Sequence, residues 1–489
     1  MVSTMTNSET VTIPAGYKQT EVGVVPEDWI IEPLINLCAV IDGDRGSNYP
    51  SSNDFFPDGY CVFLSATNVT KKGFKFNEVS FISKEKDDLL RKGKLKRGDV
   101  VLTTRGSVGH FSYYDESVSF ENLRINSGMV LIRNETEKFS NDYLSTLLNS
   151  PIIKNQIETM SFGSAQPQLT VRDINSFYLC FPIDKSEQTA IANALSDVDK
   201  LIAALETLIA KKSAIKTAAM QQLLTGKKRL PAFAGEREGQ HLKANEQSIA
   251  KPNEQHRIQP NSASDTPTQH HSDAENSHHQ HTPRPGYKHT ELGEIPEDWD
   301  EYLLSELCDV RDGTHDSPKY RDSGIPLITS KNIVNDRLDL DNVSFISVDD
   351  ATEINKRSKV HIGDIIMSMI GTVGSAVLIN TEPNFCIKNV ALFKPNKIEG
   401  VFLIQLIRSS FFQKYLEDSI DGGIQKFVSL GTLRGMEVAV PNKKEQTAIA
   451  NVLSDMDTEL DALQQRLNKT QKIKQGMMQE LLTGKTRLV

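Results

Sequence analysis

The 489-residue chain lacks most features that mark a function class. Its five cysteines, Cys38, Cys61, Cys180, Cys308 and Cys386, are odd in number and scattered without a Cys-x-x-Cys pair. That supports neither a disulfide framework nor a cysteine zinc site, and predicts a reduced, cytoplasmic protein. No apolar run approaches the roughly 18 residues that a membrane-spanning helix needs. The opening MVSTMTNSETVTIPAG has no basic stretch followed by an apolar one, so it lacks the form of a secretory signal. No GxxxxGK[ST] loop, HExxH, GxSxG or kinase signature set occurs. The Asn-Pro-Pro-aromatic and Asp-Pro-Pro-Tyr tetrapeptides of base-flipping amino-methyltransferases are missing too. Positive charge is not in excess either: 55 Lys and Arg face 64 Asp and Glu, a net charge of −9. Phosphate neutralisation is a large source of affinity for DNA, so a strong nonspecific grip by this chain alone is disfavoured. A local basic face, or basic partners, would have to supply it.

What the chain does have is a repeat. GYKQTEVGVVPEDW begins at Gly16 and GYKHTELGEIPEDW at Gly286. EQTAIANALSDVD begins at Glu187 and EQTAIANVLSDMD at Glu445. LLTGK begins at Leu223 and Leu481, each time followed shortly by Arg-Leu. Long blocks recurring in one order establish an internal duplication.

The second and third blocks bracket an amphipathic helix. Apolar residues fall at Ile191, Leu195, Val198, Ile202, Leu205 and Ile209, and again at Ile449, Leu453, Met456, Leu460, Leu463 and Leu467. Alternating steps of four and three make a coiled-coil seam. Asp184 and Asn442 each precede a glutamate by three residues, Glu187 and Glu445, as in a capping box. Pro182 and Pro441 lie just before, and Gly226 and Gly484 stand where a left-handed residue would end each helix. About 40 residues make a helix of roughly 60 Å. Such a helix outruns a small domain, so the two seams are expected to pair with each other and not to lie separately on their own domains.

The segments before each helix share a framework and differ in their loops. VSFIS recurs at Val79 and Val343, GDVVLTTRGSVG at Gly98 is echoed by GDIIMSMIGTVG at Gly363, and GSAQPQLT at Gly163 parallels GGIQKFVS at Gly422. Short strand-like runs broken by Gly, Asp and Asn predict two mixed α+β domains. Asp99 and Asp364 are read as turn residues and not as catalytic carboxylates. The glycine pairs Gly106–Gly109 and Gly371–Gly374 are read as tight turns and not as phosphate cradles. The expected organisation is a disordered N-terminus at 1–15, domains at 16–186 and 286–442, helices at 187–230 and 443–489, and a disordered polar linker at 231–285. His270, His271, His278, His279 and His281 in that linker are read as tether residues, although a histidine-rich tract can bind transition metals.

The order domain, EQTAIA…LSDxD helix, domain, helix ending in LLTGKxRL resembles the specificity subunits of type I restriction–modification complexes. The GYKxTExGxxPEDW openings and DGTHDSPKY, from Asp312 to Tyr320, carry the resemblance further. It covers nearly the whole chain outside the first 15 residues and the linker, which is longer than is usual in the family. The resemblance implies two target recognition domains separated by an antiparallel coiled coil of the two helices, a pseudo-twofold repeat. Each domain would read one half of a bipartite, asymmetric site in double-stranded DNA. The helices would space the domains and dock two methyltransferase subunits, with restriction and translocase subunits beyond them. The chain would be non-catalytic and bind no cofactor or metal; S-adenosylmethionine, ATP and magnesium would sit on the partners.

Base readout requires side chains with paired donors and acceptors on outward loops. The candidates are Arg45, Asn48, Asn68, Lys71, Lys72, Arg105, Gln166 and Gln168 in the first domain. In the second they are His315, Lys319, Tyr320, Lys331, Asn332, Gln425 and Lys426. Three other readings stay open at this level: an enzyme with unrecognised motifs, a coiled-coil scaffold for proteins, and a specificity subunit of a methylation-only phage-defence system.

Overall fold

The computed structural model describes residues 13–161, 168–234, 283–419 and 427–488. The linker histidines, Gln166, Gln425 and Lys426 lie outside the described residues. Two units emerge, and neither is a contiguous stretch matching one repeat. The first comprises Met1–Thr207 with Gln464–Val489, the second Leu208–Leu463.

In the first unit a four-stranded antiparallel sheet runs in the order Phe111–Tyr113, Val100–Thr103, Met129–Asn134, Cys38–Asp42. Val100, Leu102, Val130 and Ile132 face a core built with the helices Asn141–Leu148 and Pro151–Ser161. Val101, Met129 and Leu131 face the other way, onto a three-stranded sheet of Leu123–Ile125, Cys61–Leu64 and Phe81–Ile82. Burial on both faces explains why VVLT and MVLI read as unbroken apolar runs and not as alternating ones. Asp99, at the mouth of the first of these strands, accepts the Lys96 amide at 2.7 Å and pairs with Arg133, a turn role.

The second unit repeats the scheme with Cys308–Asp312, Val390–Pro395, Ile365–Ser368 and Ala376–Leu378 in one sheet. Ser344–Ile346, Ile325–Ile328 and Cys386–Ile387 form the other. All five cysteines are free and buried. Burial pushes four of the thiols up to about 12 and that of Cys386 to about 11, so they behave as small apolar side chains.

The long helices are Lys185–Leu223 and Lys443–Leu481. Each divides its length between the units. Within the first unit, Asp199 pairs with Lys474 at 2.6 Å and Glu187 with Arg487 at 2.6 Å. Within the second, Lys212 meets Glu459 at 2.8 Å, Lys216 meets Asp457 at 2.5 Å and Arg229 meets Glu445 at 2.5 Å. Rising numbers on one helix meet falling numbers on the other, so the segments run antiparallel in each unit. Ile191, Leu195, Leu205, Ile449, Leu453 and Leu467 of the seam are buried; Val198, Ile202, Ile209, Met456, Leu460 and Leu463 are half-buried. Ile191 and Leu195 share one core with their own domain and with Met478, Leu481 and Leu482. Ile449 and Leu453 do the same with Met220, Leu223 and Leu224. The first seam residues therefore pack on both the domain and the other helix, where the sequence suggested a choice. Among the described residues no helix is long and apolar enough to cross a membrane.

The recurring motifs form a joint at each helix start. Asp184 accepts the Ser186 amide and Asn442 the Glu445 amide, as caps. The expected return contact from the glutamate is replaced: Glu187 and Glu445 turn inward, fully buried, onto arginines from the far end of the other helix. A buried carboxylate needs such a cation more than an exposed amide needs a second acceptor. Arg487 grips Glu187 and, at 2.9 and 2.8 Å, Asp28 of the first PEDW. Arg229 grips Glu445 and, at 2.9 Å twice, Asp298 of the second. Gly484 and Gly226, both at φ +69°, lie against this joint: a Cβ would come within 2.4 Å of Pro26 or 2.5 Å of Pro296. Trp29 and Trp299 are buried beside them.

Candidate nucleic-acid interface

The first domain's outer strand Cys38–Asp42 runs into Gly43, where the chain passes so close to residue 126 that a Cβ would lie 2.3 Å from its carbonyl oxygen. Asp44 then accepts the amides of Gly46 at 2.7 Å and Arg91 at 2.8 Å, bonds that hold its carboxyl below the usual carboxylate range. Between them Arg45 projects, exposed, with Nη2 at 3.2 Å from both Asp42 Oδ1 and the Ser127 carbonyl. Arg105 and Gln168 face each other across an isolated β-bridge, and Arg105 Cβ lies 3.8 Å from where a Cβ on Gly128 would be. Tertiary structure thus gathers Arg45, Arg105 and Gln168, all exposed, around the connection at 126–128.

The other candidates of this domain fall elsewhere. Asn48 is exposed and donates to the Leu89 carbonyl at 3.3 Å. Lys71 and Lys72 sit between the two strands Val69–Thr70 and Gly73–Phe74, with Lys72 Nζ 2.6 Å from Glu206 of the long helix. They line a cleft of about 920 Å³ shared with Asp199, Gln471 and Lys474. Asn68 is withdrawn as a DNA contact. It is 2 % exposed; its Oδ1 accepts the Ser65 amide and hydroxyl, and its Nδ2 donates to the carbonyls of Lys75 and Glu78. Asn332 is corrected on the same ground, taking Thr329 and donating to the carbonyls of Asp339 and Asn342. Both amides are saturated by their own turns, so neither can reach a base.

In the second domain Gly313 makes the same close passage, 2.5 Å from Cβ to the Ile387 carbonyl oxygen. His315, 61 % exposed, has Nε2 2.6 Å from Asp312 Oδ2 and Nδ1 2.9 Å from Asn389 Oδ1. Arg357 also pairs with Asp312. Lys388 is buried and donates to the Asp316 carbonyl at 2.7 Å and Ser317 Oγ at 3.0 Å, anchoring the loop that carries exposed Lys319 and Tyr320. Lys331 is exposed, and its neighbour Ser330 donates to the Asn389 carbonyl at 3.2 Å. Ile370 and Phe427 form the bridge that Arg105 and Gln168 form in the first domain. One framework therefore presents a polar pair in one domain and an apolar pair in the other. The orienting residues Asp42, Asp312 and Asn389 were missed in the sequence, as were the joint arginines Arg229 and Arg487. Aligning Asp-Gly-Asp-Arg at 42–45 with Asp-Gly-Thr-His at 312–315 would have pointed to the first two.

A model of the type I restriction modification DNA specificity domain matches residues 26–216 and 296–475. The chain belongs to that family. The specificity subunit of the type I restriction enzyme MjaVIII from Methanocaldococcus jannaschii is 23% identical over 481 residues, covering 95% of this chain and 94% of that one. The EcoBI specificity subunit of Escherichia coli is 26% identical over 181 residues, 36% of this chain and 38% of that one. In fold, the chain is similar to a type I restriction–modification S subunit from M. genitalium, with a TM-score of 0.51 at 14% identity, covering 93% of this chain and 96% of that one. The function is that of a type I specificity subunit, with DNA and the other subunits of the system as its partners. Each family match joins a domain to the helix that follows it in sequence, whereas each spatial unit closes a domain with the end of the other helix.

Proposed function

We propose that each domain reads one half of a bipartite, asymmetric target in double-stranded DNA. The two long helices then space the halves and dock two methyltransferase subunits, with restriction and translocase subunits joining them. The observation that carries the asymmetry is the replacement of Arg105 and Gln168 by Ile370 and Phe427 on one framework. Donor-bearing and apolar side chains recognise different base edges, so two such surfaces select different half-sites. In this reading the chain does no chemistry, and S-adenosylmethionine, ATP and magnesium belong to the partner subunits. The net charge of −9 fits a chain that selects while basic partners hold phosphates. The test is single-molecule sequencing of modified adenines in cells carrying the partner genes, with and without this gene. A two-part asymmetric motif that disappears on deletion supports the proposal, and an unchanged methylome refutes it.

A further inference from the structure

The place just past the end of the outer strand of each four-stranded sheet is built alike in the two domains and filled differently. In both, an aspartate ends the strand, a glycine squeezes past a neighbouring carbonyl, and the side chain two residues later folds back onto the aspartate. In the first domain the carbonyl is that of Asn126, in the short connection 126–128 that enters the neighbouring strand; in the second it is that of Ile387, immediately before the corresponding connection 388–389. That connection also supplies the second contact, the Ser127 carbonyl for Arg45 and the Asn389 side chain for His315.

The second domain carries a relay. Asp312 is 5 % exposed and also paired with Arg357, so it is a fixed acceptor. His315 Nε2 at 2.6 Å from it donates a hydrogen bond to the carboxylate, which fixes the ring and turns Nδ1 toward the connection. The Asn389 amide meets that nitrogen at 2.9 Å. That contact uses Oδ1, which keeps a second lone pair, and it leaves the Nδ2 amino group unbound by the ring. Asn389 is one of three non-glycine residues with positive φ among those described, at +54°. It is only half-buried, and its backbone is pinned by the Thr314 carbonyl and the Ser330 hydroxyl. A side-chain amide with one acceptor and one donor left over matches the N6 and N7 edge of adenine. In the first domain Gly128 offers no side chain, and Arg45 takes the role itself. Its hydrogen bonds to Asp42 and Ser127 both run through Nη2, leaving Nε and Nη1 as donors, the pattern that meets the O6 and N7 acceptors of guanine.

We propose that Asn389, positioned by Asp312 and His315, is the base-reading residue at this place in the second domain and that Arg45, positioned by Asp42, is its counterpart in the first. The proposal rests on the DNA-reading function above. The experiment is selection of randomised duplex DNA by the purified complete complex, followed by sequencing, for wild type and for N389A, H315A and R45A. Thermal unfolding of each variant runs in parallel. N389A is expected to lose about 10- to 100-fold of the preference at one base pair, an adenine, in one half-site. H315A is expected to weaken preference at that same base pair while N389 is intact. R45A is expected to relax a single guanine in the other half-site. Unfolding temperatures should stay at the wild-type value. Unchanged preferences in N389A or R45A, or relaxation of both halves by one variant, overturns the proposal. A wild-type complex that selects no two-part sequence overturns the function beneath it.

Discussion

Asparagine shows how one residue type serves two ends here. Asn68 and Asn332 stand in the turn between two strands, yet each is buried and closes the turn with side-chain bonds to backbone groups up to ten residues on. Asn332→Ala removes a buried amide that closes its turn with four hydrogen bonds, and a loss of about 1–3 kcal/mol in stability is expected. Chemical denaturation checks the loss, and the methylated motif should stay the same. Asp28 supplies a second test at this scale. The hydrogen bond from Arg487 holds its carboxyl below the ordinary value of 3.8. A carboxylate lowered in the folded state adds stability that is complete above the unfolded value and is lost as pH falls through the folded one. Asp28→Asn should therefore flatten the acid-side fall in stability of the first unit relative to wild type, with little change in shape near neutrality. Unfolding midpoints from pH 7 down to the acid limit measure it.

The helices show why apolar positions along them are unequal. Leu453 is fully buried between its domain and Met220, Leu223 and Leu224, whereas Ile473 on the second helix is 48% exposed. Leu453→Ala should cost about 2–5 kcal/mol, the range for truncating a packed leucine. Ile473→Ala should fall within about 0.5 kcal/mol of wild type, as for surface changes. Denaturant midpoints of the two variants separate the cases. The cross-helix ion pairs are mostly exposed, so each contributes little; Glu187 and Glu445 differ because their carboxylates are out of water.

At the scale of the whole molecule, the first domain is completed by residues far from it in sequence. Met478, Leu481 and Leu482 fill its core, and Arg487 neutralises Glu187. Removing the chain from Glu480 onward should therefore loosen the first domain and spare the second. The two tryptophans, one beside each joint, make this measurable. In a Trp299→Phe background the deletion should shift Trp29 emission to the red and lower its unfolding temperature. In a Trp29→Phe background, Trp299 emission should stay in place.

The duplication, the long helices, their seam and the α+β character of both domains were legible in the residues themselves. Those features rest on self-similarity and on local periodicity, which a linear chain displays. Arg45, Arg105 and His315 could be nominated because exposed loops with donor side chains are also local signals. Tertiary structure alone decided which helix end completes which domain. LLTGKxRL follows its own domain's helix in sequence, but antiparallel packing of 39-residue helices delivers Arg487 to Asp28 and Glu187. Tertiary structure also withdrew Asn68 and Asn332 from the surface and joined Asp312, His315 and Asn389. The groups that settle these matters are brought together by chain folding across tens to hundreds of residues, and no local pattern records such a meeting.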